Sequence, residues 1–304
     1  MRDRHLLGIR DLSRDYIEQC LETAKGFKDV LKRDIKKVPA LRGKTVINLF
    51  FEPSTRTKTS FEITEKRLSM DVLNFSVPSS SVVKGESLYD TIKTIEAYGV
   101  DFIVIRHSSS GVPKFVADNI DASVINAGDG INEHPTQALL DAFSILEKKG
   151  TLDGLNIAII GDIYHSRVAK SNIYLLSKFN NSIRLIGPPT LIPDIKNDNI
   201  EIFNHMDKGL KDADVIMMLR IQLERQGRSF FPSIQEYFKF WGLDKRRLGC
   251  AKEDAIVMHP GPMNRGVEIS SDVADSKQSI ILEQVTNGLA ARMAVLYLLA
   301  GARE

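Results

Sequence analysis

Short apolar runs rich in Val, Ile and Leu recur along this chain with helix-patterned stretches between them. That alternation commits it to βαβ units built on parallel sheets. In the first half the candidate strands are 45–51, 72–75, 102–106 and 123–127, with helices at 13–32, 59–69, 87–98 and 112–119. The second half restarts with strands at 156–162, 182–186, 201–203, 215–219 and 255–259. Between the two series lies one long helix, 135–149, opened by Pro135 in its first turn and closed by Gly150. At 304 residues the chain also exceeds what a single core usually serves. The expected class is therefore α/β: two doubly wound domains, each with a mainly parallel sheet, joined by interdomain helices. The domains are placed at 1–134 and 135–287. The last helix, expected at 288–300, is apolar on nearly all sides and so predicts burial; segment 288–304 is assigned to completing the first domain. Segment 76–87 is a polar loop without periodicity and 222–249 a second long, charged, Gly-containing stretch; both read as mobile enough to close over a ligand.

Composition removes several classes of function. With 43% hydrophobic residues, 26% charged residues and a net charge of +2, neither a polybasic nucleic-acid binder nor a disordered chain is indicated, so positive charge must be used locally. Cys20 and Cys250 stand alone, without the spacing of a zinc site or a disulfide framework, which points to the cytoplasm and to no structural metal. Charges interrupt the N-terminal segment, and the apolar stretch 289–300 contains Arg292 and is too short to span a bilayer, so neither export nor membrane insertion is expected.

Local positive charge is concentrated at strand ends. In FFEPSTRTKTSFE (50–62) an apolar strand runs into Ser54-Thr55-Arg56-Thr57 and then a helix, placing orphan amides, hydroxyls and a guanidinium around one point. Helix capping would ask for one such residue, whereas three hydroxyls and an arginine fill four consecutive positions. They read as an oxyanion cradle. Ligands of open α/β sheets bind at the carboxyl ends of the strands. Those ends also carry Arg106-His107, Asn126 to His134, Gly161 to Arg167, Arg220 to Gln222 and His259-Pro260-Gly261-Pro262. Arginines gathered there imply an acidic, planar substrate that takes bidentate contacts. His134 and Gln137 flank a helix start, where they can address a carbonyl. The turn from Gly161 to Arg167 lacks the GxGxxG pattern of dinucleotide sites. Lys84, in a loop with Ser79, Ser80 and Ser81, forms a cationic arm that can reach an anion.

Taken in order, STRT after FFEP, HPTQALLD, the Gly-Asp turn ending in Arg167, LRIQ and HPGP resemble the aspartate/ornithine carbamoyltransferase family over essentially the whole chain. LRIQLER and KGES are similar to the aspartate branch. The SMG and HCLP signatures of the ornithine branch are missing, and HPGPMNRG stands in place of the latter. The resemblance implies attack of the aspartate α-amine on carbamoyl phosphate, the committed step towards pyrimidines, with no metal and no organic cofactor. It implies carbamoyl phosphate on Ser54, Thr55, Arg56, Thr57, Arg106, His134, Gln137, Gly261 and Pro262, with Thr57, Arg106 and His134 around the carbonyl oxygen. Aspartate would be held by Lys84, Arg167, Arg220 and Gln222. Glu52 would pair with Arg167 or Arg225 to keep the cleft shut. The family's homotrimer would insert Ser80 and Lys84 into the neighbouring subunit's site, and candidate partners are regulatory chains or other enzymes of the pyrimidine pathway. The alternatives are an ornithine-type carbamoyltransferase, whose cationic acceptor Arg167 and Arg220 would repel, a non-catalytic paralogue, and a nucleotide-dependent oxidoreductase.

Overall fold

The computed structural model describes residues 4–76, 86–195, 198–221 and 233–302. They form two compact units, Met1–Phe143 with Thr286–Glu304, and Ser144–Val285. In the first lie α1 (Arg14–Leu31), β1 (Thr45–Phe50), α2 (Thr55–Arg67), β2 (Asp71–Ser76), α3 (Leu88–Ala97), β3 (Phe102–His107), α4 (Val112–Asp118) and β4 (Ser123–Asp129). Its strands are all parallel, in the order β2-β1-β3-β4. From β1 the chain turns to one side for β2 and then to the other for β3, so the carboxyl ends of β1 and β3 flank the switch point where a ligand crevice opens. Val46, Ile47, Leu49 and all of Phe102 to Ile105 are buried. Burial on both faces is why these strands read as continuous apolar runs rather than as alternating ones.

The chain leaves the first unit within α5 (Pro135–Lys149) and returns to it within α11 (Ile281–Gly301). In the second unit are β5 (Asn156–Ile160), α6 (Arg167–Leu176), β6 (Ser182–Ile186), β7 (Ile200–Phe203), α7 (Met206–Leu210), β8 (Val215–Met218), α8 (Ile234–Trp241), α9 (Lys245–Leu248), β9 (Ile256–Met258) and α10 (Ser271–Ala274). Its parallel sheet runs β7-β6-β5-β8-β9, with the switch point between β5 and β8. The expected α/β class with two doubly wound parallel sheets is what the chain forms.

Three differences from the expected elements are larger than a residue or two. Helix α2 begins at Thr55 rather than at 59, with the first helical bond from the Lys58 N–H to Ser54 O; its hydroxyl and β-branched residues are weak helix formers, which is why the sequence pattern places the start later. Segment 222–249 is not one long loop, because its described part holds α8 and α9. Ser233 Oγ accepts from the Glu236 N–H at 3.0 Å and Asp244 Oδ1 from the Arg247 N–H at 2.8 Å, caps worth about 1 kcal/mol each. The start of the last helix moves back to Ile281. No helix among the described residues is long and apolar enough to cross a membrane.

Candidate active site

At the first switch point, β1 delivers Ser54 to the start of α2. The first bond inside the helix runs from the Lys58 N–H to Ser54 O at 3.0 Å, so the amides of Thr55, Arg56 and Thr57 precede the helical ladder. The side chain of Ser54 makes no capping bond, and Thr55 and Arg56 are exposed in the first turn. This is where the capping reading and the cradle reading part company. The hydroxyl is not spent on the helix, and the turn presents amides, hydroxyls and a guanidinium on the positive end of the dipole.

Arg106 is the last residue but one of the adjacent strand, in register with Phe50. It is 9% exposed, donates from Nη1 to Ala127 O at 3.1 Å, and lies 3.5 Å from Glu52 through Nε. The backbone acceptor holds one edge of the guanidinium at the crevice, and the carboxylate adds an ion pair beside it. Glu52 thus has a partner inside its own unit that the sequence did not suggest; Arg225, one of the two expected, lies outside the described residues.

His134 and Gln137 sit at the start of α5, behind the end of β4, and both are buried. Gln137 Nε2 donates to Asp141 Oδ1 at 3.0 Å. Because an ionised carboxylate only accepts, that bond orients the amide and leaves Gln137 Oε1 as an acceptor suited to an NH₂ group. The loop leading to His134 is held by Asp129, a residue missed in the sequence. Its carboxylate accepts from the Gly111 N–H (2.7 Å), Asn126 Nδ2 (2.8 Å), Asn132 Nδ2 (3.1 Å) and the Glu133 N–H (3.1 Å). Glu133 in turn accepts from the Ile9 N–H at 2.7 Å, tying down the N-terminal segment.

In the second unit Arg167, Arg220 and the 259–262 turn follow β5, β8 and β9, three neighbours in the sheet. Gly161 has φ +128°, and a Cβ there would lie 3.1 Å from that of Leu219, so glycine lets the two turns at this switch point approach. Ser166 caps α6 through the Ala169 N–H at 3.1 Å, placing Arg167, only 4% exposed, in the first helical turn. After β9, His259 Nδ1 accepts from the Gly261 N–H at 2.8 Å, which puts the ring proton on Nε2, 3.0 Å from Glu268 Oε1. Glu268 also accepts from the Asn264 N–H at 2.6 Å, and Asn264 Nδ2 donates to Ile221 O at 3.1 Å, linking this turn to the one after β8. Gly261 and Pro262 are therefore held by a buried carboxylate that no local sequence signal announces. Ser80, Lys84, Gln222 and Arg225 lie outside the described residues. Among the described residues no cluster of His, Cys, Asp and Glu could hold a metal ion.

Residues 4–147 match the model of the aspartate/ornithine carbamoyltransferase carbamoyl-P binding domain, and residues 153–299 match that of the Asp/Orn binding domain. The chain belongs to the aspartate/ornithine carbamoyltransferase family. One curated relative, the aspartate carbamoyltransferase catalytic subunit of Syntrophotalea carbinolica, is 58% identical over 302 residues, 99% of this chain and 96% of its own. Among solved structures, the aspartate transcarbamoylase of Trypanosoma cruzi in complex with N-(phosphonacetyl)-L-aspartic acid has a TM-score of 0.87 at 32% identity, covering 96% of this chain and 94% of its own. The ornithine carbamoyltransferase of Pyrococcus furiosus reaches 0.88 at 32% identity, over 98% and 97%. Backbone likeness therefore does not separate the two branches of the carbamoyltransferase family. That distinction has to come from side chains and from sequence identity.

Proposed function

We propose that this carbamoyltransferase moves the carbamoyl group of carbamoyl phosphate to the α-amine of L-aspartate, releasing N-carbamoyl-L-aspartate and phosphate in pyrimidine biosynthesis. The observation that carries the reading is a division of arginines between two switch points: Arg56 and Arg106 on the first sheet, Arg167 and Arg220 on the second. The first unit takes carbamoyl phosphate and the second takes the acceptor. An acceptor met by two guanidiniums carries carboxylates rather than an ammonium side chain, and the 58% identity to an aspartate carbamoyltransferase subunit supports the same choice.

The phosphate rests on Ser54, Thr55, Arg56 and Thr57, and its charge grows as the bond from the carbonyl carbon to the bridging oxygen breaks. Thr57, Arg106 and His134 stabilise the carbonyl oxygen as the amine adds, with His134 donating as a neutral ring. Gln137 Oε1 and the backbone carbonyls of 260–262 accept from the carbamoyl NH₂ and so orient the carbon for attack. Arg167, Arg220, Gln222 and Lys84 bind the aspartate carboxylates. The proton lost by the attacking amine passes to the departing phosphate, itself a base held beside it. Glu52 pairing with Arg167 or Arg225 would favour a closed state.

The test is direct. Purified protein given carbamoyl phosphate with aspartate or ornithine should form ureido product with aspartate at a kcat/KM roughly 10⁴-fold higher, since an ornithine ammonium would be repelled by the Arg167 and Arg220 guanidiniums. Comparable rates with both amines would overturn the aspartate assignment, and no product with either would overturn the transferase.

The same reading includes a cytoplasmic homotrimer in which Ser80 and Lys84 serve a neighbouring subunit, with regulatory chains or other pyrimidine-pathway enzymes as further partners. Mixing inactive Arg56→Ala and Lys84→Ala chains should recover part of the activity. Strictly additive, near-zero activity would show that each chain serves only itself. Cell fractionation should find the activity with the cytoplasmic proteins, and recovery with membranes would contradict that placement.

A further inference from the structure

Helix α2 carries the anion cradle, yet apolar packing does little to fix its position. Of its 13 residues only Phe61, Thr64 and Glu65 are buried, and Phe61 alone among them is large and apolar. A buried cation reaches it from α11. Arg292 is 4% exposed; its Nη1 donates to Ser60 Oγ at 2.8 Å and to Gly288 O at 3.0 Å, and its guanidinium lies 5.1 Å from the centre of the Phe61 ring. Glycine at 288 makes room for it. A Cβ there would stand 2.6 Å from Nη1, and a glycine inside a helix gives up about 1 kcal/mol.

A buried arginine is costly, and a hydrophobic residue of similar volume is often as stabilising or more so. Stability alone therefore does not account for an arginine at this position. Burial draws the Arg292 guanidinium down to about 10, and the opposing influence is the carboxylate of Asp141 on α5. That carboxylate is the one that orients Gln137. One cation thus touches the helix bearing the phosphate donors and acts electrostatically on the anchor of the carbamoyl reader. Helices α11 and α5 also meet at this point, since a Cβ at Gly288 would stand 3.2 Å from Cδ2 of Leu140, the neighbour of Asp141.

We infer that Arg292 is a positioning residue for the carbamoyl phosphate site, tying the cradle helix α2 to the Gln137–Asp141 pair so that phosphate donors and the NH₂ acceptor keep a fixed separation. The identity of the ligand rests on the reading proposed above, whereas the mechanical link does not. Arg292 touches no reacting atom. Its loss leaves every direct ligand contact in place but lets α2 shift against α5.

The experiment compares wild type, Arg292→Met and Ser60→Ala, with Gln137→Ala alone and combined with Arg292→Met. Calorimetry with inorganic phosphate, steady-state kinetics and Tm are the readouts. Arg292→Met should fold with a Tm within a few degrees of wild type and bind phosphate about 5–10-fold more weakly. Its kcat/KM for carbamoyl phosphate should fall about 10–100-fold, while the KM for aspartate at saturating carbamoyl phosphate changes less than about 3-fold. Ser60→Ala should show the same pattern, about 3-fold in size, and it decides alone if Arg292→Met fails to fold. The Arg292→Met and Gln137→Ala losses should be less than additive. Unchanged phosphate affinity and kcat/KM in a folded variant, fully additive losses, or equal losses for both substrates would each overturn the inference. A wild type that makes no carbamoyl-aspartate, with variants that still lose phosphate affinity, would overturn the proposed reaction and leave the link standing.

Discussion

Arg56→Ala is expected to lower kcat by about 10²–10³-fold while changing the KM for aspartate far less. The guanidinium occupies the first turn of α2, on the positive end of the helix and next to the Ser54 and Thr57 hydroxyls. In the proposed reaction its partner would be a phosphoryl group that gains charge as the bridging bond breaks, so the contact should be stronger in the transition state than in the ground state. Removing one preorganised donor of that kind typically costs two to three orders of magnitude in rate. Lysine should restore little, because a point charge replaces a planar fork that can bind two oxygens together. Steady-state kinetics check this. A loss confined to KM would mean that Arg56 binds substrate and transition state equally, and the cradle would then be a docking site rather than part of the catalytic apparatus.

Glu65→Gln is expected to stabilise the protein in mild alkali by several kcal/mol. Glu65 lies on the buried side of α2; Asn48 Nδ2 donates to its Oε2 at 2.8 Å, while Oε1 has no hydrogen-bond partner among the described residues. Burial pushes the carboxyl up to about 8, against a smaller lowering by Asn48, so the folded state holds its proton at neutral pH. The sign follows from linkage. For a folded-state value raised above the unfolded one, the stability contributed by the protonated group is complete below about 4.5. It declines as pH rises and is fully lost above about 8. The difference corresponds to roughly 4–5 kcal/mol, of which local rearrangement and entry of water would absorb part. Urea unfolding of both proteins between pH 5 and pH 9.5 should give a declining midpoint for wild type and a flatter one for Glu65→Gln. Parallel profiles would show that Glu65 ionises inside the fold at little cost.

What could be read in the sequence follows from where the physical signal is local. Strands such as 156–160 are buried on both sides of a parallel sheet and therefore spell nearly continuous apolar runs, and Pro135 and Gly150 mark the ends of α5 by their own backbone constraints. Ser54, Arg56, Arg106, Arg167 and Arg220 were legible because strand ends in such sheets are ligand positions whatever the ligand. Helix α8 carried a signal that aromatic and charged residues concealed: Ser233 and Glu236 stand at the spacing of a capping box. The supporting residues had none. Glu268 lies beside His259 only after the 259–269 loop has folded back, Asp129 gathers donors from three segments, and Arg292 reads in sequence as an interruption of an apolar helix. Their roles arise from tertiary contact, which a linear pattern does not encode.

The β1/β3 switch point is expected to bind a phosphoryl group and to present a carbamoyl carbon for attack. A crystal structure of the protein soaked with carbamoyl phosphate tests it most directly. The phosphate should lie within hydrogen-bonding distance of the Thr55, Arg56 and Thr57 amides, with the carbonyl oxygen towards Arg106 and His134 and the NH₂ on Gln137 Oε1. A phosphate bound elsewhere, with the first turn of α2 holding only water, would contradict it.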